Sequence, residues 1–424
     1  MANERQPFTS LLAGIVDNRG RTCPTAESGL PLIATNCVRN DFLYPRHEKG
    51  RFVDNNTYLY WFRGHPRSGD LLFVTKGAPG RVCMVPDPVD FCIAQDMVAI
   101  RADDKKVYPR FLLALLRSEA VQEEIDRLTV GTLIPHFKKG DFDRLLLTIP
   151  DRATQQFIGD TYFSLSAKID LNRRMSDTLE AMARALFKSW FIDFGPVRAK
   201  TAGRDPDLPA DIAALFPDSF QDSELGPIPR GWKARSLRDV LTESNERVGD
   251  AEVPEYSSTN TGLELRSDHF KKKLAASSAK NKLIRSGDLV FGLSRRILNF
   301  GLMRDDIGSV STAYKVFAVD QHEITPDLLQ QMMRERPSYF YNAISGSTRE
   351  GQSVSSEGLG QLKFTQPPAG LQRTFYGAVG PLSVLTTTLV KESMTIATLR
   401  DTLLPKLFSG ELRANDVKSV MEGG

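Results

Sequence analysis

The chain has 424 residues, of which 41% are hydrophobic and 25% charged, and its formal net charge is +3. This ordinary globular composition provides enough chain for two or three domains, and a charge so close to neutral does not by itself indicate a nucleic-acid partner. No apolar run approaches the ~20 residues of a membrane span, and the first residues lack the apolar core of a signal peptide. We therefore expect a cytoplasmic protein.

The cysteines and histidines do not form a metal-binding pattern. The four cysteines lie in the first quarter of the chain, without a Cys-x-x-Cys pair: Cys23, Cys37, Cys83 and Cys92. For them, buried free thiols are favoured over a metal site or a disulfide. The five histidines are scattered, without the spacing of metal ligands.

The first predicted domain covers residues 1–150 and mixes short strands with helices. Residues 71–74 and 145–149 are short apolar runs, which are typical of buried strands. Apolar residues between 109 and 128 recur on one side of a helix. These patterns predict an α+β domain.

A first long helix is predicted within residues 151–194. Inward-facing positions there alternate in steps of four and three, which is the heptad pattern of helices that pack on each other. The predicted seam runs through Ile158, Tyr162, Leu165, Ile169, Asn172, Ser176, Leu179, Ala183, Leu186 and Trp190. Its polar members weaken the seam, and we interpret them as residues that could fix register or orientation.

Residues 195–229 are rich in proline and are predicted to form a linker that contains a short helix at 210–216. The linker separates the first domain and its helix from a second, similar part of the chain.

The second mixed domain is predicted over residues 230–366. Strands are expected at 289–291 and 314–319, and a helix is expected at 326–335. The style of this segment matches that of the first domain.

A second long helix is predicted within residues 367–424. Its seam runs through Phe375, Val379, Leu382, Thr386, Leu389, Ser393 and Ile396, then Leu399 one residue early, and then Leu403 and Leu407. Proline is tolerated in the first turn of a helix but not in its interior. The sequence therefore leaves open whether this helix starts before Pro381, or starts at it and is shorter than the first.

The two halves share landmarks in the same order. Ser68-Gly69-Asp70-Leu71 returns as Ser286-Gly287-Asp288-Leu289, Thr148-Ile149-Pro150 as Thr365-Gln366-Pro367, and Leu186-Phe187 as Leu407-Phe408. The offsets, 218, 217 and 221 positions, are nearly constant. Such constancy indicates a duplicated module. The predicted fold is therefore α+β, with two globular domains separated by two long helices that form an antiparallel coiled coil with pseudo-twofold symmetry.

Local charge is more informative than net charge. Residues 266–304 contain ten Lys or Arg residues and only two Asp residues, which gives a net charge of +8. Between residues 39 and 81 the surplus is +4, and aromatic residues lie among the charges. Both stretches fit surfaces that contact phosphates.

Motifs for catalysis are missing from the sequence. There is no Gly-x-x-x-x-Gly-Lys-Ser/Thr, no His-Glu-x-x-His and no Gly-x-Ser-x-Gly. The Pro-Pro pair, Pro367-Pro368, lacks the aromatic residue that an adenine methyltransferase would place after it. A nuclease with a metal site assembled from distant carboxylates stays an open alternative, as does a free-standing DNA-binding regulator.

Several segments resemble the specificity subunits of type I restriction–modification systems. The helix ends carry the resemblance first: Ala185-Leu186-Phe187-Lys188-Ser189-Trp190-Phe191-Ile192-Asp193-Phe194-Gly195-Pro196, and Leu403-Leu404-Pro405-Lys406-Leu407-Phe408-Ser409-Gly410-Glu411-Leu412. Leu225-Gly226-Pro227-Ile228-Pro229-Arg230-Gly231-Trp232 resembles the entry to the second recognition domain. Residues 131–139 resemble a late loop of the first. The resemblance covers essentially the whole chain.

The resemblance implies a non-catalytic subunit in which each recognition domain contacts one half of a split target on double-stranded DNA. Two methyltransferase subunits would dock on the helices, and motor-nuclease subunits would join them. S-adenosylmethionine, ATP and Mg²⁺ would be bound by those partners, with no cofactor or metal on this chain. The candidate phosphate contacts are Lys76, Arg81, Lys138 and Lys139 in the first domain, and Lys271, Lys272, Lys273, Arg295 and Arg296 in the second.

Overall fold

The computed structural model describes residues 4–18, 20, 22–47, 50–131, 133–259, 262–268, 278–292, 299–335, 343–348 and 351–412. The chain divides into two compact units. The first consists of Met1–Thr178 together with Leu385–Gly424, and the second is the continuous segment Leu179–Val384. Each unit therefore contains part of both long helices. None of the described helices is long and apolar enough to cross a membrane.

The first unit is built on short strands and helices followed by a long helix. Its strands are β1 (Glu4–Pro7), β2 (Leu12–Val16), β3 (Leu30–Ile33), β4 (Phe52–Val53), β5 (Leu71–Val74), β6 (Val82–Met84), β7 (Cys92–Ile93), β8 (Met97–Ala102) and β9 (Leu146–Ile149). Its helices are α1 (Asn55–Tyr60), α2 (Pro109–Leu116), α3 (Glu119–Leu128) and the first three-quarters of α4 (Arg152–Phe187). The last part of the C-terminal helix completes it.

The second unit contains further strands and short helices. The strands are β10 (Phe220–Gln221), β11 (Ile228–Pro229), β12 (Lys233–Ser236), β13 (Leu241–Ser244), β14 (Tyr256–Ser258), β15 (Leu263–Leu265), β16 (Lys282–Arg285), β17 (Leu289–Phe291), β18 (Phe300–Leu302), β19 (Ile307–Val310), β20 (Lys315–Val319), β21 (Ile344–Thr348), β22 (Gly351–Val354) and β23 (Lys363–Gln366). The helices are α5 (Gly195–Thr201), α6 (Ala210–Ala213), α7 (Pro326–Arg334), α8 (Ser356–Gln361) and the start of α9 (Ala369–Ser409).

The same sheet topology occurs in both units. The first has an antiparallel sheet of order β2-β8-β5-β6, and the second has one of order β13-β20-β17-β18. In each unit an early strand pairs with the strand before the long helix, β1 with β9 and β12 with β23. The predicted strands and the predicted duplication are thus present in the fold.

The shared Ser-Gly-Asp motif forms the same turn twice. Gly69 and Gly287 have positive φ angles of 82° and 89°, a region that favours glycine. The Asp70 carboxylate accepts the Arg67 N–H at 2.8 Å, and the Asp288 carboxylate accepts the Arg285 N–H at 2.8 Å. The motif therefore specifies a tight turn before a buried strand.

A pair of glutamines repeats at the same offset. Gln155 accepts the Tyr108 N–H at 2.8 Å and donates to the Pro150 carbonyl at 2.8 Å. Gln372 accepts the Thr325 N–H at 3.1 Å and donates to the Pro367 carbonyl at 2.9 Å. Both side chains are buried. Each glutamine fastens the first turn of a long helix to the residue that precedes α2 or α7, so the joint between domain and helix is also duplicated.

The predicted helix over 109–128 is two helices, α2 and α3. Ser118 lies between them with φ −65° and ψ 145°, which is an extended conformation. The chain bends there because α2 buries every residue from Phe111 to Leu116, whereas α3 buries only Val121 and Ile125. One continuous helix would carry the polar residues of α3 into the core.

The long helices run antiparallel within the first unit. Asn172 donates to Glu392 at 2.7 Å, and Arg400 donates to the Ser166 hydroxyl at 3.4 Å. At the end of this interface the core includes Ile158, Tyr162, Leu404 and Leu407. In the second unit, Phe187 and Phe191 pack on Phe375, with ring centroids 5.8 and 5.0 Å apart.

The seam positions differ in how deeply they are buried. Ile158 and Leu389 are buried, and a second group is partly buried: Leu165, Ile169, Leu179, Leu186, Leu382, Ile396 and Leu403. Leu399 is 47% exposed, whereas the neighbouring Arg400 is buried at 7%. Arg400 restores the four-three spacing between Ile396 and Leu403, and its guanidinium lies 5.4 Å from the ring centroid of Tyr162.

The second long helix starts well before Pro381, which lies in its interior. Phe375 and Val379 are buried in the core of the second unit and stabilise the turns before the proline. Proline has no N–H, so the Gly377 carbonyl, one turn before Pro381, lacks its usual helical donor. Both residues are exposed, and this carbonyl therefore lies on the water-facing side of the helix. At 41 residues the helix is longer than α4, which has 36.

The segment predicted as a linker is a packed part of the second unit. It contains α5 and α6, the latter shorter than the predicted 210–216. Val197, Phe216 and Ile228 belong to the core of the second unit. Pro206, Pro209, Pro217 and Pro227 lie between the elements, whereas Pro196 is in the first turn of α5 and Pro229 ends β11. The apolar residues between the prolines anchor the segment.

Candidate nucleic-acid interface

Two loops of the first unit meet beside a predicted basic cluster. Lys76 follows β5 and forms an antiparallel bridge with His136 in the late loop. The Phe137 N–H donates to the Thr75 carbonyl at 2.9 Å, and the Gly77 N–H donates to the Pro135 carbonyl at 2.8 Å. These backbone bonds bring Lys76 and Lys138 to the same edge, although they are far apart in the sequence.

The loops border an open groove of about 520 Å³. Its lining is polar and includes Gly20, Thr22, Lys76, Gln95, His136 and Lys138. The Lys76 ammonium lies 4.0 Å from an Asp96 carboxylate oxygen. The groove thus offers cations and hydrogen-bonding side chains to a ligand that approaches from solvent.

The other predicted cations of the first domain differ in how they are paired. The Lys139 ammonium lies 3.8 Å from Asp17. Arg81 and Lys138 are exposed and have no ion-pair partner within the described ranges. Ion pairs at the surface contribute little to stability. Arg81, Lys138 and Lys139 could therefore contact phosphates with little loss of stability.

Gln95 is a candidate that the sequence did not single out. It lines the groove, is partly buried, and its amide has no hydrogen-bond partner in the part of the chain that the structure describes. A glutamine amide can donate to and accept from the edge of an adenine. No motif marks Gln95, because only the turn after β7 brings it beside Lys76.

The predicted cations of the second domain lie outside the described residues: Lys271, Lys272, Lys273, Arg295 and Arg296. The described cations around them are largely engaged. Arg285 pairs with Glu246 at 2.6 Å and Arg304 with Asp327 at 2.7 Å. Lys282 is 4% exposed, and burial lowers the pKa of its ammonium. Part of the positive charge counted between residues 266 and 304 is therefore paired or buried within the second unit.

Exposed apolar residues occur on the helical part of the first unit. They are Leu171 and Met175 on α4, and Leu385, Val390, Met394 and Leu399 on α9. Val390 and Met394 are 50% and 67% exposed and lie four residues apart, on one side of the helix. Large apolar side chains on the outside of a helix pair suit a protein contact.

Among the described residues, no group of three or more His, Cys, Asp or Glu side chains is arranged to hold a metal ion. The four cysteines are buried free thiols. Burial raises the pKa of Cys83 and that of Cys92 to about 12, so both are protonated at neutral pH.

The chain is similar to known DNA specificity proteins. Residues 55–181 match the family "Type I restriction modification DNA specificity domain". The HindI specificity subunit of Haemophilus influenzae is 24% identical over 411 residues, which cover 82% of this chain and 87% of that protein. The MjaIX specificity subunit of Methanocaldococcus jannaschii is 24% identical over 368 residues, covering 82% and 79%.

A solved structure is similar as well. It is the S subunit of a type I restriction–modification system from M. genitalium, with a TM-score of 0.48 and 16% identity over 91% of this chain and 95% of that one. Residues 55–181 match a DNA specificity domain, and the sheet order of the first unit is repeated in the second. Over most of its length the chain is similar to the specificity subunits of type I restriction–modification systems.

Proposed function

We propose that this chain is the non-catalytic DNA-recognition subunit of a type I restriction–modification complex, acting in the cytoplasm. Each unit contacts one half of a split target on double-stranded DNA. The observation that carries the proposal is the duplication: the same sheet order, the same turn and the same glutamine joint occur in both units. Two similar modules with different loops suit a target of two different halves.

Binding and cleavage assays on the purified chain test this proposal. We expect binding to duplex DNA with protection of two separated half-sites, and an intact duplex after incubation with Mg²⁺. Protection of a single continuous site would contradict the two-part model. Cleavage by the chain alone would instead support a nuclease with a dispersed carboxylate site.

Phosphate contacts in the first unit would come from Lys76 and Lys138, together with Arg81 and Lys139. In the second unit, Lys271, Lys272, Lys273, Arg295 and Arg296 remain candidates. Each phosphate contact contributes about 0.9 to the slope of log affinity against log salt concentration. Lys76→Gln with Lys138→Gln should therefore lower that slope by roughly 1.8 and weaken binding to all sequences alike.

Lys105→Gln is the matched control for this measurement. Lys105 follows the far end of β8, a six-residue strand whose other end is next to Asp96. At ~3.3 Å per residue the strand spans about 20 Å, which places Lys105 away from the groove. If the slope of log affinity against log salt concentration fell as much in Lys105→Gln, the change would reflect the net charge of the chain and not contacts in the groove.

The partners in the proposed complex are two methyltransferase subunits and motor-nuclease subunits. Those subunits would bind S-adenosylmethionine, ATP and Mg²⁺. The exposed apolar residues of α9 support a protein contact on the helices. A charged residue in such a contact would have to lose its water of hydration.

Val390→Asp with Met394→Asp should abolish co-purification of the methyltransferase subunit. Both side chains are exposed, so the fold of the chain should be kept. Thr402→Asp places one carboxylate at another exposed position of the helix and should leave the association intact. Unchanged co-purification of the double variant would mean that the methyltransferase docks elsewhere.

A further inference from the structure

The late loop of the first unit presents an apolar tip. Leu133 is 91% exposed, Ile134 is 51% exposed, and Val130 at the base of the loop is 44% exposed. Single exposed apolar residues are common on protein surfaces. Two neighbouring side chains at a loop tip are a larger apolar surface, and Leu133 is nearly as exposed as a side chain can be.

The loop holds this tip in a defined position. Val130 and His136 exchange backbone hydrogen bonds of 3.0 and 2.9 Å. Gly131 has a φ of +98°, and a Cβ atom there would lie 2.8 Å from the Ile134 carbonyl oxygen. Only glycine therefore permits this turn without strain.

The base of the loop is anchored in the core. Phe137 is fully buried and stacks on Phe142, with ring centroids 5.1 Å apart. This buried anchor, a few residues from the exposed leucine, attaches the base of the loop to the core.

The groove beside the tip carries more positive than negative side chains. Lys76 and Lys138 line it together with Asp96, which lies 4.0 Å from the Lys76 ammonium. A protein partner for an apolar tip would usually offer an apolar pocket, whereas lysines around the tip favour a polyanion. Duplex DNA combines both requirements, because it has phosphates outside and flat apolar faces between its base pairs.

We propose that Leu133, supported by Ile134, inserts as a wedge between adjacent base pairs of the first half-site. This inference rests on the proposed DNA-recognition function. Aliphatic wedges of this kind partly unstack a base step and kink the duplex. Lys76 and Lys138 would contact the phosphates on either side and hold the wedge in place.

The sequence of the second half does not repeat the apolar pair: Glu350 and Gly351 stand at the offset of 217 from Leu133 and Ile134. Val354, which is buried, occupies the position of Phe137 at the offset of 217. In the sequence, the residues between β21 and β22 are Arg349 and Glu350, which lie outside the described residues. The distortion of the DNA should therefore be confined to the first half-site.

Base unstacking gives a direct test. The target of the full complex is first mapped, and 2-aminopurine is then placed at successive steps of each half-site. We expect the unaltered chain to raise the fluorescence at one step of the first half-site. Leu133→Ala should remove that rise and weaken binding on the order of tenfold. A duplex with an unpaired base at the same step should restore most of the lost affinity, since its stacking is already broken.

Leu146→Ala is the control, because Leu146 is 45% exposed in the same unit but lies on β9. A fluorescence rise that persists in Leu133→Ala would overturn the wedge while leaving DNA recognition intact. Loss of methyltransferase co-purification in Leu133→Ala, with the rise unchanged, would also overturn it and make the tip a protein contact. If the unaltered complex does not bind duplex DNA, the proposed function and the wedge both fail.

Discussion

Arg117→Ala should destabilise the first unit by about 3–5 kcal/mol, because it removes several buried hydrogen bonds at once. Arg117 is 9% exposed. Its guanidinium donates to the Val82 carbonyl at 2.6 and 3.0 Å, to the Phe42 carbonyl, and to the Tyr162 hydroxyl at 3.2 Å. The truncated side chain would leave the Val82 carbonyl and the Tyr162 hydroxyl, which both belong to buried residues, without this donor.

Hydrogen exchange followed by mass spectrometry measures this effect within one unit. Peptides from β6 and from the start of α4 should exchange faster in Arg117→Ala, while peptides of the second unit serve as an internal reference. Arg117→Lys should recover only part of the protection, since an ammonium group lacks the planar set of donors that reaches all these acceptors. Unchanged exchange in Arg117→Ala would show that the carbonyls find other donors.

Gly159→Ala is expected to have the second large effect. An added Cβ would lie 2.5 Å from the Phe111 nitrogen and 3.0 Å from the Arg110 carbonyl carbon, so α4 would have to move away from α2. Overpacking costs up to about 3 kcal/mol. The better helix propensity of alanine returns about 1 kcal/mol. We expect a net loss of about 2 kcal/mol in the first unit.

Gly377→Ala is the matched control, and we expect it to raise the stability of its unit, whereas Gly159→Ala lowers that of the first. Gly377 is also inside a long helix, but it is exposed and a Cβ atom would meet nothing within 4 Å. Its substitution should stabilise the second unit by up to about 1 kcal/mol. The two variants can be compared by thermal unfolding and by hydrogen exchange of α4 and α9. A stable Gly159→Ala would show that the close approach of α2 to α4 is dispensable.

The elements predicted with most success were those whose pattern is local. Turn residues mark the start of β5 and β17, and the heptad spacing marks both long helices. The offset of 217 also relates Gln155 to Gln372, so the glutamine joint could have been found by extending the repeat. Arg117 could not, because its partners come from three separate parts of the chain.

The position of Pro381 shows how tertiary packing can override local preference. From the sequence, the proline and its neighbouring glycines left the start of α9 undecided. In the structure Phe375 packs on Phe187 and Phe191, and Val379 is buried in the same core. At Leu399 and Arg400 the apolar pattern itself led to the wrong seam residue. Apolar character favoured the leucine as a seam residue, yet helical spacing and the ring of Tyr162 place the arginine inward.

The candidate interface was predicted in its charge but not in its geometry. Lys76 and Lys138 were predicted as candidate phosphate contacts, and the hydrogen bond between Phe137 and Thr75 brings them to the same edge. Gln95 carries no comparable sequence signal, and although Leu133 lies in the segment that resembles a late recognition-domain loop, nothing in the sequence marks its exposure. Their importance depends on which strand ends meet, which is set by long-range pairing rather than by neighbouring residues.

The division of the chain has a consequence for its synthesis on the ribosome. The first unit needs residues from both sides of the second, so Leu404 and Leu407 reach Ile158 and Tyr162 only after the intervening segment has been translated. That segment has roughly 200 residues, which take about 10–40 s at 5–20 residues per second. During this interval the inner face of α4 is incomplete, and the nascent chain exposes apolar surface. The continuous second unit should therefore be the first to fold, reversing the order in which translation begins.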